Sequence, residues 1–234
     1  MVKLVIKEDY SGMSKEAYSI FRDSFDAARV LGFATGNTPL GLYQLISEEA
    51  KSARISFEGK LTFNLDEYCG VGPSDSSSFR YYMEQNLFLN ANMDRSRIHF
   101  PDSRADPEIA ARQYREEYLK YGPVDLQILG IGRNGHIAFN EPGAARESVT
   151  RVVNLSKETL DANRPKSAKA ITMGIKEILE SRKILLLASG RDKSLALRKA
   201  LRDSPNPSVP ASFLQMHDDV TFIMDEEAAS MLDA

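Results

Sequence analysis

The sequence predicts an α/β fold, a single domain with a mainly parallel, Rossmann-like sheet flanked by helices on both faces and a small lid. Three observations carry this. Short apolar runs alternate with amphipathic stretches along the whole chain, the rhythm of successive βα units. Most of the runs are apolar at nearly every position rather than at every second one, which suits strands buried on both faces. Polar clusters follow several of the runs, where loops leave the carboxyl ends of parallel strands.

The first strand is read at 4–6, from Leu4-Val5-Ile6, with an amphipathic helix following at 14–27. The apolar run 30–34 is the second strand. It leads through Thr35-Gly36-Asn37-Thr38-Pro39 into a helix at 39–51, with Thr38 placed to cap it and Pro39 suited to the first helical position. A third strand at 61–65 ends in Asn64-Leu65-Asp66-Glu67-Tyr68, and helices are read at 77–89 and 107–121. Strands at 126–131, 149–155, 184–188 and 221–224 and helices at 174–180 and 192–201 complete the alternation. The polar stretch 156–167 is helix-like at first and broken at Arg164-Pro165, which suits a lid over the site or a surface crossover. No linker, repeat or low-complexity run divides the 234 residues, so one domain, 1–234, is expected, with an approximate lid at 156–173.

Composition narrows the function. With 42% hydrophobic and 27% charged residues the chain can build a large core and lacks a disordered signature. Thirty basic residues against 33 acidic ones leave a formal charge of −3, so a broad basic face for nucleic acid is not expected. An anionic substrate must then be held by a few placed cations and backbone N–H groups. Cys69 is the only cysteine, which excludes an intrachain disulfide and agrees with a reducing, cytoplasmic setting. The opening residues are too short for a signal peptide, and no apolar run approaches the ~18 residues a membrane span needs.

The segment 129–143, LGIGRNGHIAFNEPG, is the most informative stretch. An apolar strand stops in glycines, and Asn134, His136, Asn140 and Glu141 follow within eight residues. A histidine with a carboxylate five residues on is a plausible acid–base pair. Gly130, Gly132 and Gly135 also spell the dinucleotide fingerprint, but that motif needs a helix next and an acid about 20 residues on. Here Pro142 blocks early helix growth and no acid closes the next strand, so a nicotinamide or flavin site is disfavoured. A catalytic zinc is disfavoured too, because a His136/Glu141 pair lacks a third ligand.

Three further strand ends carry polar clusters. The Thr35–Thr38 turn is an anion site at a helix N-terminus or an ordinary capped βα turn. Of the adjacent acids Asp66 and Glu67, at most one can face a shared site, as a general base or as a salt-bridged structural acid. Cys69 reads as a packing residue. Lys193, after the strand at 184–188, reaches a phosphate at the sheet edge or is a surface lysine. His99 and His217 are read as structural or surface residues.

Together these clusters resemble the glucosamine-6-phosphate deaminases of the sugar-phosphate isomerase-like family. The matching strings are Ala34-Thr35-Gly36-Asn37-Thr38-Pro39, Phe63-Asn64-Leu65-Asp66-Glu67-Tyr68, the run from Gly132 to Pro142, Thr172-Met173-Gly174-Ile175, Lys193, and the late segment from Val209 to His217. The resemblance covers essentially the whole chain. Its Gly-His-Ile-Ala-Phe-Asn-Glu-Pro string separates the deaminases from the related 6-phosphogluconolactonases, which share the fold and the Gly-His.

The resemblance implies that Asp66 moves a proton between C2 and C1 of an opened amino sugar. It implies that His136 opens the pyranose ring, assisted by Glu141 and Asn134. Thr35, Gly36, Asn37, Thr38, Lys193 and the lid arginine Arg164 would hold the phosphate. No redox change occurs, so no cofactor or metal is implied, and the partner is glucosamine 6-phosphate. Several positions depart from the family pattern. Asn134 stands where many members have Asp, so a neutral amide or Glu141 must orient His136. Asn37 replaces a smaller residue, and the lid is several residues short. Val153 replaces the lysine that allosteric members use for an activator phosphate, and their C-terminal extension is missing, which implies a monomer or small homo-oligomer. A lactonase or isomerase on the same fold and a non-catalytic sugar-phosphate sensor are the rival functions. A sensor of this kind requires a DNA-binding module, for which the sequence before the first strand leaves no room.

Overall fold

Alternate side chains of the central strands enter two different apolar cores, one on each face of the sheet. Val30, Leu129, Leu186 and Phe222 join one, while Leu31, Ile128, Leu185 and Ile223 join the other. This two-sided burial is why the runs are apolar at consecutive positions.

The computed structural model describes residues 2–163 and 165–232. It begins with β1 (Val2–Lys7), α1 (Tyr10–Phe25), β2 (Val30–Phe33), α2 (Leu40–Lys51), β3 (Leu61–Asn64), β4 (Asp66–Tyr68) and α3 (Phe79–Met83). Next come β5 (Ile98–His99), α4 (Pro107–Tyr121), β6 (Leu126–Gly130), β7 (Arg151–Asn154), α5 (Lys157–Asn163) and β8 (Lys169–Thr172). The chain closes with α6 (Ile175–Leu179), β9 (Lys183–Ala188), α7 (Ser194–Arg202), β10 (Val220–Asp225) and α8 (Glu226–Ala229). Seven strands pair in parallel in the order β1-β10-β9-β6-β2-β3-β5. Helices α1 and α2 cover one face through Phe21, Phe25, Leu42 and Ile46. Helices α4, α6, α7 and α8 cover the other through Tyr114, Tyr118, Ile178, Leu197 and Ala228. The predicted α/β architecture is present, helices on both faces included.

A second, three-stranded antiparallel sheet, β4-β8-β7, stands beside the main one. Here the structure corrects the sequence reading. The run 149–155 shortens to β7 and lies in this small sheet, and β4 and β8 were not foreseen. Of the approximate lid at 156–173, the first part is α5, while β8 is a strand whose Ala170, Ile171 and Thr172 are buried. The helix expected at 77–89 is α3 followed by a π-helical turn, Glu84–Phe88. Helix α2 starts at Leu40, so Pro39 rather than Thr38 occupies its cap. Among the described residues, no helix is long and apolar enough to cross a membrane.

Candidate active site

Connections leaving β2 run outward through β3 to β5, and those leaving β6 run the other way through β9 to β10. β2 and β6 are neighbours, so the chain diverges between them and opens a crevice at their carboxyl ends. A cleft of about 1190 Å³ lies there, lined by the 35–39 turn, Asp66, Gly132, Arg133, His136, residues of α5, and Lys193.

The loop after β6 carries the polar group singled out in the sequence. No helix follows Gly130, Gly132 and Gly135, so the dinucleotide reading lacks its required context. The Asn134 Oδ1 accepts the backbone N–H of His136 at 3.1 Å and its ring Nδ1–H at 2.8 Å, while Asn134 Nδ2 donates to Glu141 Oε2 at 2.8 Å. An amide oxygen only accepts, so Nδ1 carries the proton and Nε2 is the nitrogen available to a ligand. Glu141 Oε2 also lies 3.4 Å from Nδ1, so amide and carboxylate both orient the ring, the amide more closely. Burial raises the proton affinity of Glu141, but hydrogen bonds from His136, Thr159 and Asn134 and the charge of His136 outweigh it and pull its pKa down to about 2.

Backbone geometry shapes this loop as much as side chains do. A Cβ on Gly132 would sit 2.2–2.5 Å from atoms of the His136 ring, so glycine is needed for the imidazole to lie where it does. Ala138 holds a φ of 51°, a left-handed conformation unusual for a residue with a side chain. Buried Asn140 maintains it by donating to the carbonyls of Ile137 (3.0 Å) and Met173 (2.9 Å) and accepting from Arg151 at 3.0 Å. Asn140 is therefore a brace for the loop, not a group facing the cleft.

Asp66 and Glu67 point apart, as adjacent residues of a strand must. Asp66 lines the cleft. Burial, reinforced by the Glu67 carboxylate, pushes its pKa up to about 8. Glu67 turns the other way and accepts from the backbone N–H groups of Tyr68, Phe79 and Arg80 at 2.8–2.9 Å, which fastens α3 to β4. Burial raises the Glu67 pKa, and these three bonds oppose the rise. Cys69 is buried against Ala110, Ala111 and Ile171, a packing residue as expected.

Thr35, Gly36, Asn37 and Thr38 all line the same cleft. Gly36 adopts a φ of 108°, open to glycine at little cost. Two tyrosines that the sequence reading missed hold this turn. Tyr82 donates to the Gly36 carbonyl at 2.5 Å, and Tyr10 donates to the Asn37 carbonyl at 3.1 Å while accepting from Gly41 N at 2.7 Å. Both tyrosines lie in helices well separated in sequence from the turn, and nothing local marked them. Lys193 ends a 3-10 turn just before α7, which begins at Ser194 rather than at the expected 192. Its ammonium lies in the cleft, 3.7 Å from Asp192, which also pairs with Arg133 at 2.7 Å. Burial lowers the Lys193 pKa, and Asp192 partly restores it. Arg164 lies outside the described residues. His99 stacks on Phe63, and His217 bonds the Ser181 carbonyl, both away from the cleft.

The cleft thus joins a buried carboxyl of high proton affinity, an imidazole with one nitrogen fixed and one available, the neutral 35–39 turn and the Lys193 ammonium. Such a set can move protons on a small phosphorylated substrate. The family of glucosamine-6-phosphate isomerases/6-phosphogluconolactonase matches the chain over residues 19–223. A glucosamine-6-phosphate deaminase of Clostridium botulinum (strain Langeland) is 43% identical over 241 residues, covering 99% of each chain. A solved structure described as a monomeric glucosamine-6-phosphate deaminase superposes with a TM-score of 0.94 at 40% identity, covering 98% of this chain and 99% of that one. The 6-phosphogluconolactonase of Trypanosoma cruzi has a TM-score of 0.84 at 21% identity, covering 100% of this chain and 98% of its own, a likeness of fold alone.

Proposed function

The chain belongs to the glucosamine-6-phosphate isomerase/6-phosphogluconolactonase family, and from that premise we propose that it is a glucosamine-6-phosphate deaminase, converting D-glucosamine 6-phosphate and water to D-fructose 6-phosphate and ammonia. The observation that carries this is the meeting in one cleft of Asp66, a carboxyl of raised proton affinity, with the Asn134–His136–Glu141 relay.

The available Nε2 of His136 takes the proton of the O1 hydroxyl and passes it to the ring oxygen, and the pyranose opens. Asp66 must then be ionised to take the C2 proton. The cationic 2-amino group of the substrate favours that ionisation, because an opposite charge a few ångströms away lowers a carboxyl pKa. Returning the proton to C1, as the ammonium gives one of its protons to O1, leaves a C1 hydroxyl and a protonated 2-imine. Water adds across C=N, the C–N bond breaks, and ammonia leaves with fructose 6-phosphate. The phosphate rests in the Thr35–Thr38 turn against Lys193, and Arg164 is proposed to help hold it. We take the first part of the 156–173 segment, α5, as the lid. We place the protein in the cytoplasm, as a monomer or small homo-oligomer acting on a sugar phosphate rather than on nucleic acid.

A coupled assay of ammonia and fructose 6-phosphate tests the proposal. Expected is hyperbolic turnover of glucosamine 6-phosphate without added nucleotide or metal, unchanged by N-acetylglucosamine 6-phosphate. Val153 packs beside the Tyr68, Phe139, Leu155 and Ala170 cluster and carries no charge for an activator phosphate, while one guanidinium nitrogen of Arg151 is engaged with Asn140. Binding without ammonia release would favour a sensor, and hydrolysis of 6-phosphogluconolactone a lactonase.

Lys193→Ala is expected to raise KM about 10- to 100-fold, the value of a lost charge-assisted hydrogen bond, with kcat little changed. Steady-state kinetics check it, and an unaltered KM would return Lys193 to a surface role.

A further inference from the structure

Glu141 is held from two sides by two different parts of the chain. Its Oε2 faces the relay, accepting from Asn134 Nδ2 at 2.8 Å beside His136. Its Oε1 faces the start of α5. There the Thr159 hydroxyl donates to it, and the Ser156 hydroxyl lies 3.0 Å away. The two hydroxyls also meet each other at 3.0 Å, and Ser156 Oγ accepts the Thr159 backbone N–H at 3.1 Å. Thr159 is only 4% exposed, so these bonds are shielded from competing water.

Helix α5 also supplies lining residues of the cleft, namely Lys157, Glu158 and Asp161. Beyond it, Lys166 pairs with Asp75 at 2.6 Å, joining this segment to the loop that bears the cleft-lining Ser76–Ser78. Among the described residues, the segment meets the proton relay at Glu141 Oε1.

We propose that Thr159, with Ser156, is a positioning residue pair that makes the ring-opening relay depend on the seating of α5. With α5 in place, the hydroxyls fix Oε1 and so turn Oε2 toward Asn134 and His136. With α5 displaced, Glu141 loses these donors, rotates, and leaves the imidazole without its second orienting contact. Seating of α5 over a bound substrate then completes the relay, so ring opening is confined to an occupied, covered cleft. This rests on the ring-opening role given above to His136 and Glu141.

The test is Thr159→Val, which keeps the shape and removes the hydroxyl. Expected is a loss of about 10- to 100-fold in kcat with KM held within about threefold, the signature of misplacement in the transition state rather than of lost binding. Thr159→Ser restores the hydroxyl and is expected to recover most of kcat, which a purely packing role would not predict. A melting cycle with Glu141→Ala reads the contact without using activity. Thr159→Val should lower Tm in the parent and have little effect in the Glu141→Ala background. Additive melting shifts, or unchanged kcat in Thr159→Val, would overturn the proposal. A parent chain that shows non-additive melting but releases no ammonia would remove the deaminase function and keep the coupling between Thr159 and Glu141.

Discussion

Asp66→Asn is expected to lower deamination of glucosamine 6-phosphate by about 10²- to 10⁴-fold, the range for a lost general base, with substrate binding largely retained. An amide cannot accept the C2 proton, while its size and polarity leave the cleft otherwise intact. If one carboxylate serves both carbons in the parent, part of a deuterium label placed at C2 should return to C1 of the same molecule. The pH dependence follows from burial. Burial and the Glu67 carboxylate push the Asp66 pKa up to about 8 in the free enzyme, so kcat/KM should rise with pH up to that region. The corresponding limb in kcat should lie lower, because the bound ammonium favours the ionised form. Turnover near the parent level in the variant would remove Asp66 from the mechanism.

The same substitution should stabilise the fold. An unfolded aspartate ionises near ~3.9, whereas the folded Asp66 holds its proton to about 8. Between those values the folded state binds more protons than the unfolded one, so this group's contribution to stability falls as pH rises through the window. An asparagine does not titrate and escapes that loss. Thermal melting at pH 5 and pH 9 should therefore show Asp66→Asn gaining on the parent at the higher pH, by on the order of a few kcal/mol. A buried acid that costs stability and sits in a cleft is the mark of a group kept for chemistry.

Much of this was legible in the sequence because local and tertiary preferences agree. Helix α4 starts and stops at the residues read from its pattern, with Pro107 at its first position and Gly122 at its end. The parallel strands were visible because both their faces are buried. The small antiparallel sheet was not. β4 is Asp66-Glu67-Tyr68, two of three residues disfavoured in strands, and it is extended because β8 pairs with it. β8 itself, Lys169–Thr172, is too short to show a period and follows a polar stretch. The polar residues around Asp66, Asn134, His136 and Glu141 could be recognised as a cluster, since their loops follow strand ends. Their supports could not, because Tyr10, Tyr82, Ser156 and Thr159 reach the site across distances in sequence that carry no local signal. Asn140 stood among the site candidates for its type and spacing, yet its amide is spent on the backbone of its own loop and on Met173.

His136→Gln is expected to lose about 10²-fold or more on the cyclic substrate, in keeping with removal of a proton-transfer group. The glutamine amide can still occupy the space that Gly132 leaves open, so the loop braced by Asn140 should keep its conformation. What it cannot do is accept a proton at one step and deliver it at the next near neutral pH. If that exchange serves ring opening, the deficit should shrink on an open-chain analogue, which enters after the step His136 assists. Asp66→Asn, by contrast, should be equally defective on both, because C2 deprotonation lies beyond ring opening. The two variants therefore separate the steps in one comparison of cyclic and open-chain rates. Equal losses on both substrates for His136→Gln would move the imidazole to the later chemistry. That outcome would also relocate the role proposed for Glu141, whose Oε2 and Asn134 neighbour lie against that ring.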